Sequence, residues 1–99
     1  MIIKWSQLSA ERLTEIVKNI AEDNPGAARK LAASILTSVE KLIKFPKLGR
    51  IVPELGIPKY REILVGNYRI IYSIVEDSIQ ILTVRHQRQL LTREDIKQL

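Results

Sequence analysis

Two rhythms of apolar residues divide this chain. In the first half, Leu13, Ile16, Val17 and Ile20 repeat at i, i+3, i+4 and i+7, the stripe of an amphipathic helix. A short β-favouring run, IIKW, precedes them and predicts a strand, with Ser6 placed to cap the helix that follows. Asp23-Asn24-Pro25-Gly26 interrupts the stripe. Asn24 is a good N-cap, and Pro25 suits the first turn of a second helix, where its missing N–H would have no partner anyway. That second helix is predicted to bury Ala28, Leu31, Ala32, Ile35, Leu36, Val39, Leu42 and Ile43 and to run to about Phe45, where Pro46 stops it. Small residues at Ala27, Ala28, Ala32 and Ala33 allow close approach to the first helix, so the two form a hairpin.

The rhythm then changes. PKLGRIVPELGIP, with its prolines and glycines, predicts a connecting loop, apolar enough that Ile51, Val52 and Leu55 should pack on the body. Three strand-like runs follow: YREILV, YRIIYSIV and SIQILTVR. Gly66-Asn67 and Glu76-Asp77 separate them, so neighbours are antiparallel. Thr92 can cap a last short helix, TREDIKQL, with Asp95 in capping-box position. The order β-α-α-β-β-β-α predicts an α+β fold, an antiparallel meander with the helical hairpin on one face. The other face is expected to be open and to carry the site.

The length of 99 residues makes residues 1–99 a single domain. With no cysteine, disulfides and thiolate metal sites are excluded, which agrees with a reducing, cytoplasmic setting. No apolar run approaches the roughly 20 residues of a membrane span, and MIIKWSQLSAER does not read as a signal peptide. The net charge of +5 favours an anionic partner, nucleic acid or acidic protein. The surplus concentrates between Lys41 and Arg69, where only Glu54 and Glu62 oppose it. A solubilising role accounts for such a surplus equally well.

Candidate chemistry gathers on the last two strands. Alternation groups Tyr68, Ile70, Tyr72 and Ile74 against Arg69, Ile71, Ser73 and Val75. In the last strand it groups Ile79, Ile81, Thr83 and Arg85 against Gln80, Leu82, Val84 and His86, with Arg85 and His86 on opposite sides. Both faces are apolar, so alternation leaves open which one meets the helices. Arg69 stands inside a central apolar strand, where an unpaired charge costs several kcal/mol. It either reaches solvent, pairs with Glu62, or faces a ligand. His86 has a side chain suited to general base chemistry, or is simply an exposed strand-end residue. Tyr60, Tyr68 and Tyr72 can stack on bases or pack in the fold. One histidine and no cysteine exclude an ordinary zinc site, and no phosphate-cradling glycine loop or close carboxylate pair is present. No cofactor is expected.

The whole pattern resembles the ParE/RelE superfamily of toxins from bacterial type II toxin–antitoxin modules. The resemblance is carried by Phe45-Pro46-Lys47-Leu48-Gly49-Arg50, by Tyr68-Arg69-Ile70-Ile71-Tyr72, and by Val84-Arg85-His86-Gln87-Arg88. It implies the fold derived above and a cognate antitoxin partner in a hetero-oligomer. RelE-like members cleave mRNA on the ribosome, and by resemblance Arg69, Arg85, His86 and Arg88 would then be catalytic. The chain lacks the tyrosine beyond the last strand that several of these nucleases carry. ParE-like members act on DNA gyrase and are not nucleases. They end the final strand much as here, although Gln89 and Leu90 stand where an Arg-Asp pair is frequent. The long helical hairpin and the FPKLGR loop lean toward ParE. The target-contacting set is then Lys47, Arg50, Lys59, Arg61, Arg69, Arg85 and Arg88. A plasmid-stabilisation protein that only binds its partner is a third possibility.

Overall fold

Two capping residues fix where the helices start in the computed structural model, which describes residues 1–99. Strand β1 (Ile2–Trp5) ends at Ser6, whose Oγ accepts the Ser9 N–H at 3.0 Å and donates to the Leu82 carbonyl at 2.8 Å. Helix α1 (Gln7–Asp23) is thereby anchored to the last strand as it begins. Asn24 closes α1 through its backbone N–H and opens α2 (Pro25–Lys44) through its side chain, which accepts the Ala27 N–H at 3.0 Å. One residue thus serves both helix ends, which keeps the hairpin connection short.

The core line of α2 is Ala28, Leu31, Ile35, Val39 and Leu42, a spacing of three and four residues. Leu36 and Ile43, expected on that line, are 49% and 43% exposed. Each lies one residue past a core position, about 100° further round the helix, and overhangs the β1 side instead.

Five strands form one mixed sheet in the order β1-β5-β4-β3-β2, with β2 Arg50–Ile51, β3 Tyr60–Val65, β4 Tyr68–Val75 and β5 Ser78–His86. The meander is antiparallel as expected, but β1 pairs parallel with β5, so the sheet is not purely antiparallel. The stretch read as pure loop also contains a two-residue strand, β2 (Arg50–Ile51), paired with Arg61 and Glu62 of β3. Two residues are too few to show alternation in a sequence.

A β-bulge corrects the facing of the last strand. Ile71 pairs with Thr83, but Tyr72 pairs with Ile81, leaving Leu82 as an extra residue. Ile79, Ile81 and Val84 consequently join the helix-facing core with Ile70 and Tyr72, while Leu82 packs with Ile71 on the other face. Arg85 and His86 remain on opposite sides, opposite Arg69 and Tyr68 respectively.

The second face is not open. Val52, fully buried, packs there with Ile71 and Leu82, and Leu55, Tyr60 and Leu91 close the rim. Ile51, expected to pack, is 38% exposed. Helix α3 (Arg93–Ile96) starts with the expected capping box between Thr92 and Asp95. With one face under helices and the other under a loop, the sheet itself is left uncovered only at its edges and ends.

Candidate functional site

Arg69 lies on the middle strand and is buried. Its Nε donates to Glu62 Oε1 at 2.9 Å. Nη1 donates to Glu54 Oε2 at 3.0 Å and to the Gln89 carbonyl at 2.9 Å. Nη2 donates to Glu54 Oε1 at 2.5 Å and to Glu62 Oε1 at 2.6 Å. A guanidinium has five N–H groups, and all five are in use. Glu62 is equally committed, since its Oε2 takes Arg50 Nε at 2.8 Å and Nη2 at 2.7 Å. Glu54 also accepts the Leu91 N–H at 3.0 Å. Arg50, Glu62, Arg69 and Glu54 form a neutral chain that ties β2, the Pro53–Pro58 loop and the segment after β5 to the sheet. The Arg69 hydrogen bonds hold the Glu54 carboxyl down at about 2, against an ordinary 4.5. Glu54, followed by Glu62, holds the Arg69 guanidinium above its already high value.

At the exit of β5, a second buried carboxylate organises the chain. Asp95 accepts from Thr83 Oγ1 at 2.6 Å and from the Thr92 N–H at 2.7 Å, with Arg12 Nη1 at 2.9 Å. Arg85 Nε stands 3.6 Å from it. Burial by itself would raise the Asp95 carboxyl, but the Thr83 and Thr92 hydrogen bonds and the Arg12 charge outweigh burial and lower it. His86, on the opposite face, packs edge-on to Tyr68 with ring centroids 5.6 Å apart. Its Nδ1 accepts the Arg88 N–H at 3.2 Å, which places the ring proton on Nε2. Arg88 itself is exposed. Arg69, Arg85 and His86 therefore do not converge on one point: the first is sealed, the second faces Asp95, and the third lies across the sheet.

The remaining cations cluster around the FPKLGR loop and the β2–β3 edge. Tyr72, fully buried, donates its hydroxyl to the Pro46 carbonyl at 2.7 Å and accepts the Gly49 N–H at 2.9 Å. Arg61 Nη1 donates to the Gly49 carbonyl at 3.0 Å. A Cβ on Gly49 would lie 2.6 Å from the Glu62 carbonyl oxygen and 2.8 Å from the Tyr72 ring, so only glycine fits. Lys47, Arg50 and Lys59 reach solvent on this edge, Lys59 with its ammonium 5.6 Å from the centre of the Tyr60 ring. Sequence patterns offered no signal for Glu54, Arg12 or the role of Asp95 as a shared acceptor. They did mark Gly49 within the FPKLGR run. No three of the residues His, Cys, Asp and Glu come together as a metal site, and no helix is long and apolar enough to cross a membrane.

The sheet order, the helical hairpin and the FPKLGR and β5-exit segments are those of one toxin class, and the chain's relatives agree. Residues 3–91 match the family described as ParE toxin of type II toxin-antitoxin system, parDE, and the chain belongs to that family. It is 37% identical over 89 residues to the protein of Sinorhizobium fredii (strain NBRC 101917 / NGR234) named "Putative toxin Y4kP", covering 88% of each chain. It is 28% identical over 89 residues to "Toxin RelE2" of Caulobacter vibrioides, covering 89% of this chain and 97% of that one. Among solved structures, the chromosomal ParDE TA system from P. aeruginosa contains a chain of like fold. That chain superposes with a TM-score of 0.73 at 22% identity, over 87% of this chain and 95% of its own length.

Proposed function

We propose that this toxin acts in the cytoplasm on DNA gyrase, by binding rather than by cutting RNA, and that a cognate antitoxin holds it in check. The observation that carries this reading is the saturation of Arg69. A catalytic arginine must offer N–H groups to charge that develops in the transition state. Arg69 has none to offer unless the Glu54 and Glu62 carboxylates are first displaced. The separation of Arg85 from His86 across the sheet supports the same reading, because a general base and a phosphate-stabilising cation must share one reaction centre. Free cations at Lys47, Lys59 and Arg88 are then contacts to a target surface, with Arg50 exposed but paired to Glu62 and with Arg61 and Arg85 as half-buried supports. Relaxed plasmid, purified gyrase and this chain, assayed together, test it directly. Loss of supercoiling at stoichiometric toxin supports the proposal, and undiminished supercoiling at large excess counts against it.

A ribosome-dependent ribonuclease is the second reading. The relative named RelE2 and the closeness of half-buried His86 to exposed Arg88, whose backbone N–H its Nδ1 accepts, favour it. Under that reading His86→Ala abolishes codon-phased mRNA breaks.

A further inference from the structure

Leu90 is 74% exposed, more than any other large apolar side chain of the protein. A lone apolar side chain in water is ordinary on a protein surface. The backbone that carries this one is not ordinary. The peptide group before Leu90 offers the Gln89 carbonyl to Arg69 Nη1 at 2.9 Å. The peptide group after it donates the Leu91 N–H to Glu54 Oε2 at 3.0 Å. Arg69 and Glu54 are bonded to each other, so the two partners of one ion pair grip the chain on either side of an exposed leucine.

The hold extends back to the end of β5. The Gln87 N–H donates to the Asn67 carbonyl at 2.6 Å, and the Gln89 N–H donates to the His86 carbonyl at 2.9 Å. Gln89 Oε1 accepts the His86 N–H at 3.0 Å, while His86 Nδ1 accepts the Arg88 N–H at 3.2 Å. Leu91 closes the far end by packing against the cluster of Val52, Ile71 and Leu82. The turn from Gln87 to Leu91 is thus fixed through β4, the β3–β4 turn and the Pro53–Pro58 loop, and it leaves the Arg88 and Leu90 side chains in solvent. A turn held this way loses little conformational freedom when a partner arrives, which favours affinity.

The charge around Leu90 selects the partner. Residues 85–93 contain Arg85, Arg88 and Arg93 and no acid. The two carboxylates that reach this segment, Glu54 and Asp95, are paired with Arg69 and Arg12. A second copy of the chain would set the arginines against their own equivalents. A nucleic acid would meet the arginines, but residues 87–92 offer no aromatic ring on which a base could stack. A protein pocket with an apolar floor and carboxylates at its rim satisfies both the leucine and the arginines. We infer that Leu90 is the apolar anchor by which the toxin enters such a pocket on its target, with Arg88 meeting the rim. His86, Gln89 and the Arg69–Glu54 pair are the positioning residues. The inference rests on the gyrase-binding reading and names its anchor. Under it, the sealed Arg69 serves binding without freeing any of its N–H groups.

The test titrates the purified full-length toxin against purified gyrase, reading association rate, dissociation rate and inhibition of supercoiling. Leu90→Asp alters an exposed side chain and should leave the urea midpoint near the wild-type value. It is expected to weaken binding about 100-fold, mostly through faster dissociation, whereas Leu90→Met should stay within about threefold. Arg88→Ala should slow association and flatten its salt dependence, as loss of a rim charge does. His86→Ala removes the acceptor of the Arg88 N–H and should weaken binding about tenfold. His86→Asn, whose Oδ1 takes the place of Nδ1, should restore it, which an amide could not do for a general base. Leu36→Asp, at a residue 49% exposed on the β1 side of α2, should change affinity less than about threefold. Wild-type affinity in Leu90→Asp would overturn the anchor while leaving the gyrase reading intact. Equal losses in the two His86 variants would overturn its positioning role. Failure of the wild-type chain to bind gyrase would sink that reading, and the inference with it. Binding to DNA alone that Leu90→Asp abolishes would make Leu90 a wedge between bases and overturn the protein pocket.

Discussion

An arginine in the middle of a sheet is destabilising unless each N–H finds an acceptor, and all five N–H groups of Arg69 do. Removing it strands two carboxylates, one of them fully buried. Arg69→Ala should therefore lower stability by about 3–5 kcal/mol, measured by urea unfolding. Any loss of toxicity in that variant would come with loss of the fold, so Arg88→Ala is the cleaner probe of target contact. The pH dependence follows from Glu54. Its folded value of about 2 lies below the ordinary 4.5, so its contribution is fully present above about 4.5 and is lost as pH falls through 2. The depressed Asp95 acts in the same direction. Urea midpoints should be level around neutral pH and drop below about 4.5, more shallowly in Glu54→Gln. Alternation along β3 and β4 makes Glu62 a readable partner for Arg69. Glu54 is not readable, because it sits in a proline-rich loop where no period relates it to the sheet.

At the scale of elements, the strands and helices with a clear period were legible and the exceptions were local. The α2 stripe names Ile35, Val39 and Leu42 correctly but also draws in Leu36 and Ile43, because hydrophobicity alone does not separate a core residue from an exposed apolar one. The bulge at Leu82 reverses the facing of half of β5, and nothing in SIQILTVRH marks it. The FPKLGR loop is where sequence and structure meet most closely. Its proline stops α2, and its glycine allows β2 to approach β3. Gly49→Ala should cost about 1–3 kcal/mol through overpacking against Glu62 and Tyr72, read as a lowered urea midpoint. Tyr72→Phe leaves the Pro46 carbonyl and the Gly49 N–H without their buried partner and should also cost about 1–3 kcal/mol.

The whole molecule is a mixed sheet covered on both sides, by α1 and α2 on one face and by the Val52–Leu55 loop with Leu91 on the other. The open second face expected from element order is absent because the loop is apolar enough to bury itself. We propose that the cations left at the sheet's edges, beside a sealed Arg69, grip a target rather than cut one. The candidate site was legible in the sequence as a set of basic residues, but its division was not. Whether a cation is free or paired depends on carboxylates far away in the chain, as with Arg69 and Glu54. The central claim is that this toxin acts by binding gyrase. Induced expression in growing cells, with plasmid topology and primer extension on a translated mRNA read from the same cultures, tests it most directly. Lost supercoiling or trapped gyrase cleavage complexes with intact mRNA is the predicted result. Codon-phased mRNA breaks with normal topology would contradict it.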